Sequence, residues 1–194
     1  MLFNRLAWRI AERLPPTDAG GRSLLITSAR RGEGKSFVAD ALANAFGQQS
    51  AGSVVLVECA GDSGIAPDGA QTWSELVESG VLAQETAADG AVTRRACGRG
   101  RGAALYRIRG IARALELLRS RFAVVVMDGP TLADCGVLSA CTDASLLVIN
   151  AARTRREIVK GSLQSNSIAA RKLLGVVLNQ KPQFVPRWLY RRAL

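Results

Sequence analysis

The chain has 194 residues, 48% of them hydrophobic and 22% charged, which suits one globular domain with a real core and excludes a disordered segment. Lysine and arginine number 26 against 16 acidic residues, a net charge of +10 that points to an anionic partner or simply to a basic surface. Histidine is absent, and Cys59, Cys97, Cys135 and Cys141 lack metal-ligand spacing, so the pattern argues for reduced, mostly buried thiols and against a zinc site.

The opening stretch "MLFNRLAWRIAERL" puts Phe3, Leu6, Ala7, Ile10, Ala11 and Leu14 on one helical face, with Arg5, Arg9 and Glu12 opposite and Trp8 near the boundary. Residues 1–17 therefore read as an amphipathic basic helix. Such a helix lies on a membrane surface or docks on protein, and docking is the commoner use. Dispersed arginines spoil a signal-peptide reading, and no apolar run reaches the roughly 18 residues of a membrane span. A cytoplasmic location is expected, with a peripheral position at the inner face of the plasma membrane as its refinement.

Residues 18–181 read as one α/β domain. Apolar, β-branched runs predict strands at Ser23–Ser28, Ser53–Glu58, Phe122–Asp128, Ala144–Asn150 and Leu173–Asn179, with Ala103–Arg107 as a weaker sixth. Helical patterns fall at Lys35–Gln48, Trp73–Ser79, Gly110–Ser120 and Thr154–Ala170. Alternation of this kind predicts a parallel sheet with helices on both faces. Residues 60–72 and 87–102 read as loops from their Gly, Pro and small-residue content.

Between the first strand and its helix stands "ARRGEGKS", a relaxed P-loop with Ala29 where the first glycine usually stands. Gly32 and Gly34 let the backbone wrap so that N–H groups, including those of Arg30, Arg31, Glu33 and Phe37, can converge on phosphate oxygens. Lys35 supplies a charge to the β- and γ-phosphates, and Ser36 offers a hydroxyl to Mg²⁺. The helix N-terminus adds its positive dipole. Downstream, "FAVVVMDGP" has the form of a Walker B strand ending in Asp128, a second candidate for holding Mg²⁺. A nucleotide with Mg²⁺ is the ligand these residues predict.

Taken together, "ITSARRGEGKSFVADALA", "VVVMDGPT", "CTDASLLVINAARTRREIV" and "LLGVVLNQ" resemble, in order and spacing, the bacterial tyrosine-kinase-like ATPases of capsule and exopolysaccharide synthesis. These belong to the Min/Par class of deviant-Walker P-loop ATPases. The resemblance spans roughly residues 20–180 and implies a P-loop NTPase fold, ATP and Mg²⁺ as ligands, and an inner-membrane chain-length regulator or similar assembly protein as partner. It also implies a homo-oligomer. It assigns Asn179 to the adenine base, places Asp143 near the switch region, and puts Arg30 where the class carries a lysine that reaches a partner's nucleotide.

Two departures qualify the activity. The acidic strand end that is Asp-x-Asp in the family is "VECAGD" here, with Glu58 in the first position and Ala60 in the second. Glu58 is the candidate for orienting an attacking water, beside Lys35 and Asp128 as catalytic residues. The chain holds two tyrosines, Tyr106 and Tyr190, so no acceptor cluster of the autokinase type is present and a tyrosine autokinase is not expected. Residues 182–194 form a basic aromatic tail around Trp188 that suits a lipid headgroup layer or an acidic protein surface. Three readings stay open: an ATP-hydrolysing switch, a nucleotide-binding scaffold, and a Par-like ATPase that coats DNA through its charge, the last disfavoured by the terminal location of much of that charge.

Overall fold

A computed structural model describes residues 2–14, 20–49, 53–59, 71–72, 92–98, 108–166 and 170–181. Elements run in the order α1 (Leu2–Arg13), β1 (Arg22–Ser28), α2 (Lys35–Gln49), β2 (Val54–Cys59), β3 (Gln71–Thr72), β4 (Val92–Gly98), α3 (Ile108–Arg121), β5 (Val124–Thr131), α4 (Gly136–Cys141), β6 (Ala144–Asn150), α5 (Arg156–Ser165) and β7 (Leu173–Asn179). The strands form one seven-stranded sheet, ordered β3-β4-β2-β5-β1-β6-β7, in which every pairing is parallel.

The central strands carry side chains that are apolar on both faces, and each face has its own cover. Leu25, Val55, Val125 and Leu147 pack with Ile111 and Leu115 of α3. Leu24, Leu56, Val126 and Val148 pack with Leu42 and Phe46 of α2. Burying one such side chain contributes roughly 1.5–3 kcal/mol, so these two layers, rather than surface polar contacts, hold the sheet. In α2 the spacing of Val38, Leu42 and Phe46 keeps one stripe on the sheet, and Ala39 and Ala43 beside them allow close approach.

Helix α1 uses its apolar stripe within the domain. Ala7, Ile10 and Leu14 are buried in the α2-side core, while Trp8 is 60% exposed. Polar ties fasten the helix: Gln49 Nε2 donates to Asn4 O at 2.7 Å, and Arg22 Nη1 to Ala11 O at 3.0 Å. Of the two uses open to this helix, docking on protein is the one observed for that face.

Five predicted strands and the helices over 35–48 and 110–120 are present within a residue or two at most ends, but the strand expected to end at Asp128 runs on to Thr131. The segment 92–98 is a correction. Its arginines and Gly-rich flank suggested a loop, yet it pairs in parallel with β2 from Val54↔Val92 to Cys59↔Cys97. A neighbouring strand with six backbone partners to satisfy outweighs weak local propensity. Residues 71–72 are likewise a short strand rather than loop. The helix predicted over 154–170 starts at Arg156 and ends at Ser165. The predicted helix 73–79, the weak strand 103–107 and the tail 182–194 lie outside the described residues.

Candidate functional site

β1 ends at Ser28 and α2 begins at Lys35, so the connecting loop sits at the carboxyl end of the sheet, where α/β folds place their ligands. Gly32 and Gly34 both adopt positive φ, +75° and +84°, which a side-chain-bearing residue resists. At Gly34 a Cβ would also lie 2.1 Å from Asn179 Nδ2. The O of Gly34 accepts the first helical bond of α2, from Val38 N–H at 3.1 Å. The loop thus turns directly into a helix N-terminus, whose unsatisfied N–H groups suit an anion. Lys35 is half-buried at that terminus; Ser36 and Phe37 are exposed.

Register sets Asp128 near the carboxyl end of β1, the strand that leads into the loop. It pairs with Ile26 of β1 on one side and with Glu58 of β2 on the other. Strand alternation puts Glu58 and Asp128 on the same face as Leu56 and Val126, the face covered by α2. Glu58 is exposed and Asp128 half-buried. Asp128 takes part in other interactions, and its Oδ1 is a buried carboxylate oxygen that accepts no hydrogen bond among the described residues. The Ser36 hydroxyl and the two carboxylates are hard oxygen donors, the chemistry Mg²⁺ takes. Among the described residues no three His, Cys, Asp or Glu side chains gather as a metal cage.

Glu33, expected to touch the ligand, is 2% exposed and turned into the protein. Its carboxylate accepts from Arg30 N–H at 2.7 Å, from Asn150 N–H at 3.3 Å and from the Thr154 hydroxyl. It can meet a phosphate only through its backbone. Asn179, the expected base contact, lies against the loop, where its Nδ2 donates to Glu33 O at 2.9 Å. Arg30 and Arg31 are exposed and, with Arg153, line a cleft of about 190 Å³ beside the loop.

Asp143 is not near this site. It precedes β6 and accepts from both the N–H and the hydroxyl of Ser23, each at 2.7 Å, at the opposite, amino end of β1. It also pairs with Arg119 at 2.8 Å. Burial, first, pushes the Cys135 and Cys141 thiols up, which keeps both in the inert protonated form.

Sequence reasoning missed Asn150 and Thr154. The available signal was an amide ending the apolar run "SLLVIN", a polar group at the same carboxyl edge as the P-loop.

No family model matches the sequence, and no curated protein matches it. Solved structures do match. The chimerical protein CapA2B2 superposes with a TM-score of 0.73 at 23% identity, over 93% of this chain and 84% of that one. The kinase domain of Escherichia coli tyrosine kinase ETK gives 0.68 at 20% identity, over 94% and 74%. The fold is that of the bacterial tyrosine kinase domains. A more distant match within the same P-loop fold is cobyrinic acid a,c-diamide synthase from Mycobacterium smegmatis with bound ADP and magnesium, at 0.55 and 20% identity, over 80% and 72%. The α/β P-loop class expected from sequence is therefore the observed one, and neighbours of this fold hold a nucleotide and magnesium.

Proposed function

We propose that this protein binds ATP with Mg²⁺ at the 29–37 loop and uses it as a nucleotide switch. The observation that carries the reading is the junction of two positive-φ glycines with a helix N-terminus, together with Asp128 on β5 in register with Glu58 on β2. Lys35 would neutralise phosphate charge, with Arg30 and Arg31 at the outer limb. Ser36 and Asp128 would hold Mg²⁺, which would supply positive charge to offset that of the phosphates. Glu58 would orient an attacking water through its carboxylate, one methylene longer than the family's Asp.

The setting in exopolysaccharide or capsule synthesis rests on the sequence resemblance, as does a chain-length regulator as partner. The surface supports a partner of some kind: Leu2, Phe37, Val176 and Leu178 are exposed around a groove of about 590 Å³ edged by Arg5 and Arg9. A docking segment with apolar side chains and carboxylates would match it, and a peripheral place at the inner membrane face follows if that segment belongs to a membrane protein.

A second reading, a scaffold that binds nucleotide without turnover, is favoured by Ala60 in place of the second family acid. Phosphate release under saturating MgATP separates the two. Sustained release that is lost in Lys35→Ala supports the ATPase, and tight binding without release supports the scaffold.

A further inference from the structure

The P-loop is fastened from behind by strands to which it does not belong. Glu33 stands between the two positive-φ glycines. Its Oε2 draws in the loop's own outer limb through Arg30 N–H. Its Oε1 accepts from Asn150, the last residue of β6, and from Thr154 in the turn that follows. Its main-chain O accepts from Asn179, the last residue of β7. One loop residue is thus tied to three chain segments.

The anchoring turn is itself closed. Thr154 N–H and Ala152 N–H return to Asn150 O and Oδ1, both at 2.9 Å, and Ala151 N–H donates to Asn179 O at 2.8 Å. Asn150 Nδ2 reaches Gln180 Oε1 at 2.5 Å. These bonds join the ends of β6 and β7 into one platform beneath the loop.

A phosphate cradle works by several N–H groups aimed at one place, and a loop that had to order on binding would lose affinity at about 1–2 kcal/mol per residue fixed. A platform that fixes Glu33 removes that cost beforehand. It also gives Asn179 a role at the loop: its amide holds a loop carbonyl, and the space a Gly34 side chain would take is filled by the same amide nitrogen.

We propose that Glu33, Thr154 and Asn179 form a latch that keeps the P-loop in its phosphate-wrapping shape, so that Asn179 governs binding of the phosphate chain whatever base it carries. The inference rests on the nucleotide-binding reading above, and all three are positioning residues that act through the loop's N–H groups.

Equilibrium titrations of the full chain with MgATP, MgGTP and Mg-tripolyphosphate test it. Asn179→Ala is expected to weaken all three ligands, tripolyphosphate included, by about tenfold. Thr154→Val should weaken them similarly, and Thr154→Ser, which keeps the hydroxyl, should restore the wild-type values. Loss of ATP affinity alone in Asn179→Ala, with tripolyphosphate unchanged, would make Asn179 a base contact and overturn the latch. A second measurement needs no ligand: amide hydrogen exchange over residues 30–36 should speed up in both Thr154→Val and Asn179→Ala. Unchanged exchange overturns the latch even if nucleotide binds, whereas faster exchange with no nucleotide binding by the wild type overturns the functional reading alone.

Discussion

Glu58 and Asp128 are register partners on the adjacent parallel strands β2 and β5, and their side chains share the sheet face that carries the P-loop helix. The pairing gives the two carboxylates different surroundings, since Glu58 is exposed and Asp128 half-buried. Different roles follow. Asp128→Asn is expected to weaken MgATP binding about 10- to 100-fold, the usual cost of losing a carboxylate that orients a metal shell, while affinity for ATP in excess chelator stays as it was. Glu58→Gln should leave MgATP affinity within about threefold and lower only the rate of phosphate release. Isothermal titration and a phosphate-release assay measure the two arms.

Asp143 predicts the opposite separation between stability and binding. Its carboxylate holds Ser23 and Arg119 at the amino end of the sheet, and both members of the ion pair have side chains only 13% exposed. Replacing it by alanine strands the guanidinium and the Ser23 donors, at a cost of about 3 kcal/mol. Denaturant unfolding should show that loss, and nucleotide affinity of the folded protein should not change.

How far the sequence could be read depended on which forces were local. The strands at 23–28, 53–58, 122–128, 144–150 and 173–179 declare themselves because burial on both faces demands unbroken apolar runs. The P-loop declares itself because Gly32 and Gly34 are required by backbone geometry. The strand at 92–98 hides because its partner, not its own residues, supplies the reason to extend. Asp143 was misplaced for a related reason: spacing along the chain does not say which end of a sheet a residue occupies. Glu33 has the same lesson on a smaller scale. Its neighbours Arg30 and Arg31 are exposed, yet the donors at Asn150 and Thr154, over a hundred positions away in sequence, turn it inward.

Helix α1 offers a contrast between two apolar residues two positions apart. Ile10 is 4% exposed in the core against α2, and Trp8 is 60% exposed. Ile10→Ala should therefore destabilise the protein by about 2–5 kcal/mol, whereas Trp8→Ala should change stability by no more than about 0.5 kcal/mol. Thermal melts of both variants check the assignment. Equal losses would mean that the helix sits with a different face inward.

The buried thiols set an alkaline limit. Burial holds Cys135 and Cys141 above the ordinary thiol value of 9.0, so the folded chain keeps protons that the unfolded chain releases. The stability from these groups is fully present below pH 9 and falls as pH rises from there through the raised values. Melting temperatures recorded between pH 7 and pH 11 should decline above about pH 9, and Cys135→Ala should remove part of that pH dependence.

Everything functional depends on whether the loop holds a nucleotide's phosphates, and direct titration with a fluorescent ADP analogue in the presence of Mg²⁺ decides it. The wild-type chain should bind saturably and release the probe to unlabelled ATP, and Lys35→Ala, with its fold intact by circular dichroism, should bind at least about a hundredfold more weakly. Equal binding by the two proteins, or none by the wild type, would contradict the account.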